Sequence, residues 1–169
     1  GTYRAKDEGL FLRFESNGTS GWEVRDTSGT RYRFGQTVAS QIESTGQVFR
    51  WALDQVIDVH GNTVSFTYTK DRNQLYLAQI RYTGHTTQPQ TPANQVDFLL
   101  EDRPDNETSY RSGFAVTTAK RLKTIETRAI VGASLQLARK YVLAYGDSGR
   151  TARSIVTSVA PKASSMSGP

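Results

Sequence analysis

The chain has 169 residues, room for one domain with its own core or for a part of something larger. Hydrophobic residues make up only 36% and eight tyrosines are present, a balance that suits sheets with one wet face and Tyr or Phe on the other. The absence of cysteine excludes disulfide frameworks and Cys zinc sites, and a net charge of +5 comes from residues scattered singly with no basic run, so the charged positions read as solvated strand faces and not as a nucleic-acid surface.

Period-two patterning dominates from the start. Gly9 to Phe14, "GLFLRF", reads as a strand and "SNGTSG" as the turn after it. "WEVRD", "TSGT" and "RYRFG" form a hairpin, with Trp22 and Val24 on one face, a Ser28-Gly29 turn, and Tyr32 and Phe34 on the return. "QVFRWAL" and "DQVIDV" make one longer ascending stretch, closed by "HGN". "TVSFTYT" then descends with Val64, Phe66 and Tyr68 on one side and threonines and serine on the other. "DRNQ" turns the chain into "LYLAQIRYT", where Tyr76, Ala78, Ile80 and Tyr82 are expected to share a face.

"GHTTQPQTPAN" is a loop by composition, and "QVDFLLED" is a strand. "RPDNETSYRSGFAVTTA" reads as a long connection holding a short strand at Phe114 to Val116. "KRLKTIETRAI" and "SLQLARKYVLAYG" follow, joined at Val131-Gly132. Leu122 and Ile125 differ in parity, so a bulge or a bend is expected between them. A helix across "AKRLKTIETRAIVGASLQLARKYVLAY" competes, because Leu122, Ile125, Ala129 and Leu135 partly fit its spacing. The β-branched run ending at Gly132 weighs for strands. "ARSIVTSV" is the last strand.

The sum is an all-β antiparallel meander of hairpins, about eleven strands. It would be a shell-like strip, a sandwich or a partial barrel. One β-rich segment spans 1–160, and 161–169 reads as a disordered tail. The opening "GTYR", with neither a methionine nor a signal peptide, reads as the start of a segment taken from a longer protein. No apolar run approaches the ~18 residues of a membrane span.

The chemistry-bearing candidates are few. Asp58, His60, Gly61 and Asn62 include three side chains able to bind a cation. They are nevertheless the residues a tight hairpin wants: Gly61 and Asn62 accept positive φ, as the primed turns require, and Asp58 bonds the turn amides. They are assigned as a structural turn. No catalytic residue, metal ligand or cofactor is assigned. Most acids fall at turns, no Gly-x-Ser-x-Gly elbow occurs and no Gly-rich phosphate loop precedes a helix. The aromatics Trp22, Trp51, Phe66, Tyr68, Tyr76, Tyr82, Tyr141 and Tyr145 are taken as sheet residues that pack across strands, and sugar stacking is the alternative.

Five ordered stretches carry a resemblance: "GWEVRDTSGTRYRFG", "RWALDQVIDVHGNTVSFTYT", "LYLAQIRYTG", "RPDNETSYRSGFAVTTAKRLKTIET" and "RKYVLAYGDSGRTARSIVTSV". In this order they resemble the bacterial SpvB/TcB-type proteins, the B components of insecticidal toxin complexes, and the related Rhs/YD-repeat toxins. The resemblance reaches to about Val159 and implies a scaffold role. β-Hairpin strips of such proteins wind into a hollow shell around a C-terminal toxic effector, and activity resides elsewhere. It also implies a secreted or surface location in a bacterium. The implied partners are other β strips and the effector of the same polypeptide, together with a toxin-complex partner subunit. The rivals are a cell-surface carbohydrate-binding module and a β-rich hydrolase domain.

Overall fold

The computed structural model describes residues 1–7, 9–87 and 92–162. Thirteen strands appear in chain order: β1 (Thr2–Arg4), β2 (Arg13–Ser16), β3 (Trp22–Arg25), β4 (Arg31–Phe34), β5 (Gln41–Ser44), β6 (Gln47–Trp51), β7 (Leu53–Ile57), β8 (Asn62–Asp71), β9 (Gln74–His85), β10 (Asn94–Ser109), β11 (Val116–Val131), β12 (Ser134–Asp147) and β13 (Ser154–Lys162). Eleven of them form one antiparallel sheet in the order β1-β2-β3-β4-β7-β8-β9-β10-β11-β12-β13, and β5-β6 form a separate ribbon. Each main-sheet strand pairs with its nearest main-sheet neighbour in sequence, so the sheet is a meander, and it does not close into a barrel. The region where a helix competed is the β11–β12 hairpin, turned at Gly132 with φ +64°.

The register sorts the side chains. Tyr3, Phe14, Val24, Tyr32, Val56 and Val64 lie opposite one another in turn across six strands, which puts them on one face. The same face carries Phe66, Ile80, Val96, Phe98, Ile125 and Tyr141. The other face carries Glu15, Glu23, Arg33, Gln55, Ser65, Arg81, Gln95 and Arg128. Cover on the apolar face comes from the β5–β6 ribbon. It packs against β9, and the 3-10 turn Val38–Ser40 ahead of it packs on β8. Ile42 of β5 is 2% exposed. Gly35 makes room for this: a Cβ there would stand 2.1 Å from Trp51 Cδ1, and its φ of +64° disfavours any side chain.

Four expectations need correction. The "GLFLRF" strand is displaced: β2 begins only at Arg13, and residues 9–12 lie outside the sheet. "QVFRWAL" and "DQVIDV" are not one ascent. β6 pairs back on β5 through a turn at Thr45 and Gly46, φ +51° and +81°, before β7 enters the main sheet. The long connection after Asp102 is largely strand. β10 continues to Ser109 and β11 begins at Val116, with Arg103 to Asn106 bulging out of the ladder. Tyr76 does not share a face with Ile80 and Tyr82. Phe66 opposes Ile80 while Thr69 opposes Tyr76, so Ala78 is an extra residue that inverts the strand below it.

The parity conflict at Leu122 and Ile125 resolves as a bulge. Phe98 opposes Ile125 and Leu100 opposes Leu122, so Lys123 is the surplus residue and both apolar side chains reach the same face. Of the expected tail, Pro161 and Lys162 belong to β13, and 163–169 lie outside the described residues.

Candidate functional site

The Asp58–Asn62 turn is built by its own carboxylate. Asp58 Oδ1 accepts from the N–H groups of His60 at 2.9 Å and Asn62 at 2.8 Å, and Oδ2 accepts from Asn62 Nδ2 at 2.7 Å. The backbone closes with Gly61 N donating to Asp58 O at 3.1 Å and Asp58 N to Asn62 O at 3.1 Å. This is a three-residue loop ending in a left-handed glycine, Gly61 at φ +88°, and not a primed two-residue turn. Asn62 keeps negative φ and already belongs to β8. The Asp58 carboxyl is held below the usual carboxylate range, first by the Asn62 amide and then by the turn N–H groups.

Asp26 builds the same device in the β3–β4 turn. Its Oδ1 accepts from Ser28 N at 2.9 Å, Ser28 Oγ at 2.6 Å and Thr30 N at 3.0 Å, while Gly29 sits at φ +86°. The turn within "AYGDSGRTARS" is wider: Ala152 N donates to Ser148 O and Ser148 N to Arg153 O.

The two histidines meet, but through backbone. His85 Nε2 donates to His60 O at 2.8 Å, and His85 Nδ1 accepts from Thr87 N at 3.2 Å. Among the described residues, no group of three or more His, Cys, Asp or Glu is placed to hold a metal ion.

The aromatic candidates are dispersed. Trp22 meets Trp51 edge-on, centroids 6.0 Å apart, and Tyr3 lies 5.6 Å from Trp22, so these three cluster where the ribbon joins β3. Tyr68 donates its hydroxyl to Leu53 O at 2.8 Å. Phe66, Tyr68, Tyr82, Tyr141 and Tyr145 lie on the apolar face by register. Tyr145 donates to Leu122 O, and Arg121 stacks 4.2 Å from its ring centre. Tyr76, on the polar face, accepts at its hydroxyl from Ala119 N at 2.8 Å and Lys120 N at 3.2 Å.

Sequence reasoning did not find the carboxylates that oppose each other across strands: besides Glu15 and Glu23 on β2 and β3, both held by arginines, these are Asp97 on β10 and Glu126 on β11. Such a pair invites a hydrolase reading, but both are occupied. Arg128 bonds Asp97 at 3.0 Å and Glu126 at 2.5 Å, Lys140 bonds Glu126 at 2.8 Å, and Gln79 and Gln95 donate to Asp97. The Lys140 hydrogen bond leads in holding Glu126 low. At Asp97 burial pushes upward, and the glutamines and Arg128 overcome it. A general acid needs a raised pKa, the opposite of what these partners impose.

The chain is a largely single-layered antiparallel meander, with these carboxylates engaged in turns and cross-strand ion pairs. Residues 2–96 match the family model described as SpvB, Salmonella virulence plasmid 65kDa B protein, and this chain belongs to that family. Its fold is similar to the N-terminal domain of effector protein SpvB from Salmonella typhimurium strain LT2. The TM-score is 0.80 at 15% identity, over 96% of this chain and 68% of that one. It is also similar to chains in structures of TcdB2-TccC3-Cdc42 and TcdB2-TccC3-TEV. These have TM-scores of 0.72 and 0.71 at 13% and 16% identity, over 94% and 87% of this chain but only 11% and 10% of those chains. No curated protein matches it in sequence.

Proposed function

We propose that this segment is walling material: a β-shell or scaffold piece of a bacterial toxin-complex B-type or Rhs/YD-repeat-like exported protein, secreted or on the cell surface, that encloses or helps deliver a toxic effector. It carries no enzyme activity and holds no metal or cofactor. Its partners are the remaining β strips and the effector of the same polypeptide, and a toxin-complex partner subunit. The observation that supports this most is the open eleven-stranded meander, polar on one face and apolar on the other, with both outer edges unpaired among the described residues. Such a sheet is completed by neighbouring strips. Membership of the SpvB family and the shared fold with much longer toxin-complex chains support the same reading.

Electron microscopy of the complete polypeptide carrying this segment tests it. The expected result is this sheet forming part of a closed wall around other residues. A sheet standing clear of any enclosure would overturn the proposal. Hydrolytic turnover that drops in Asp58→Asn or His60→Ala would restore the hydrolase rival, and tryptophan quenching by sugars the carbohydrate rival.

A further inference from the structure

The register brings together four arginines that the sequence keeps far apart. Arg4 opposes Arg13, Arg13 opposes Arg25 and Arg25 opposes Arg31, one on each of β1 to β4. Directly opposed residues share a face, so the four guanidinium stems form a row across the polar face, at the ~4.8 Å strand spacing. Arg33 stands in the next row beside Glu23 and Glu15.

Like charges directly opposite each other destabilise a sheet, and the fold offsets this only in the middle. Glu15 reaches Arg13 at 2.5 Å and Arg25 at 3.9 Å, and Glu23 reaches Arg25 at 2.7 Å and Arg33 at 3.1 Å. Each carboxylate is thus shared by two guanidiniums. Among the described residues, Arg4 and Arg31 at the ends have no carboxylate partner. Five arginines against two glutamates leave a charge of +3 on this patch.

We propose that the arginine row on β1–β4 is a docking surface for an acidic polypeptide segment, whose carboxylates bind the guanidiniums as Glu15 and Glu23 already do. Charge complementarity names an anion, and the in-place carboxylates show that this spacing seats them. A nucleic acid fits less well. The aromatics of these strands, Tyr3, Phe14, Trp22, Tyr32 and Phe34, all lie on the opposite face, so no stacking platform accompanies the charge. The surface is a property of this chain and does not depend on its lying in a shell.

The test is fluorescence anisotropy of a labelled oligoglutamate of about ten residues, long enough when extended to span the row, against the intact chain at low and high NaCl. The expected result is salt-sensitive binding weakened about three- to tenfold in Arg4→Gln/Arg31→Gln, whose side chains hold no ion pair among the described residues. The control Arg139→Gln/Arg150→Gln removes the same charge elsewhere and should bind as the wild type does. Circular dichroism confirms that both variants are folded. Absence of binding, or equal weakening in both variants, would overturn the proposal. So would a thymidine oligonucleotide that binds more tightly than oligoglutamate and is lost in the same row variant.

Discussion

Asp26 and Asp58 show what one side chain contributes. Each carboxylate collects the amides of a loop that ends in a left-handed glycine. Gly61 has φ +88°, and a Cβ there would meet Thr86 Oγ1 at 2.7 Å and His85 Nε2 at 3.0 Å. Gly61→Val is expected to destabilise the chain by about 1–3 kcal/mol, read as a lower urea midpoint. His60→Ala should leave the midpoint nearly unchanged, since His60 takes part through its N–H and C=O. A collapse in the alanine variant would contradict this account. Acid is the second probe. Asp26, Asp58 and Glu126 are all held below their ordinary values, chiefly by hydrogen bonds from Ser28, Asn62 and Lys140 respectively. The unfolded chain therefore binds more protons in the acid range. The contribution is fully present above the ordinary carboxylate values and is lost as pH falls through the depressed folded ones. Urea midpoints should be flat above about pH 5 and fall below about pH 4, with a shallower fall in Asp26→Asn/Asp58→Asn. A midpoint that rose on acidification would refute it. Ser28-Gly29 and Asp58 to Asn62 made both turns legible in the sequence. Their loop type was not, because Asn62 is as compatible with β geometry as with positive φ.

At the scale of elements, alternation located most strands and failed where a single residue breaks it. The conflict between Leu122 and Ile125 announced its bulge, since both are apolar and must reach one face. The bulge at Ala78 gave no sign, because Tyr76 fits either face: its ring is apolar and its hydroxyl wants a donor. The β5–β6 ribbon was hidden for a related reason. "QVFRWALDQVIDV" is apolar enough to read as continuous, and only pairing separates β6 from β7. Tyr76 then acquires a structural task. β9 and β10 pair only over Gln79–Tyr82 and Asn94–Asp97, and beyond that the strands part. The Tyr76 hydroxyl crosses to β11, beside the Gln74–Thr118 side-chain bond and the Arg72 carbonyl that accepts from Thr117 N. Tyr76→Phe removes the acceptor for two backbone N–H groups, one at Ala119, which is 3% exposed. The expected loss is about 1–3 kcal/mol in chemical denaturation. Hydrogen exchange should accelerate at Ala119 and Lys120 ahead of the distant β3–β4 pair. Uniform acceleration would mean that Tyr76 does not pin this junction.

For the molecule as a whole, the sequential meander was legible because short turns between alternating strands leave few other topologies. The arginine row was not, since strand register exists only once the sheet has formed. Neither was the amount of surface left over. The chain exposes 10846 Å², where a compact monomer of 18.8 kDa exposes about 8,300 Å². Only Val24, Ile42, Ile57, Ala119 and Leu143 are buried hydrophobics among the described residues. The two outer edges differ in how they meet water. β1 is three residues long and ends at Arg4, with Lys6 and Asp7 just beyond it, which discourages further pairing. β13 is nine residues long and carries Ile155, Val156 and Val159 at 50%, 52% and 56% exposure, with no charge before Lys162. Val156 and Val159 oppose Tyr145 and Leu143, so both extend the apolar face to its last strand. An edge of this kind pairs with whatever strand is offered. In isolation the chain should associate as concentration rises, read by sedimentation velocity. Val156→Lys/Val159→Lys should hold it monomeric, because the lysine stems still cover the sheet while their ammonium groups oppose a neighbour. Wild-type chain that stayed monomeric at high concentration, or a variant that associated equally, would show that β13 is not the open edge of this sheet.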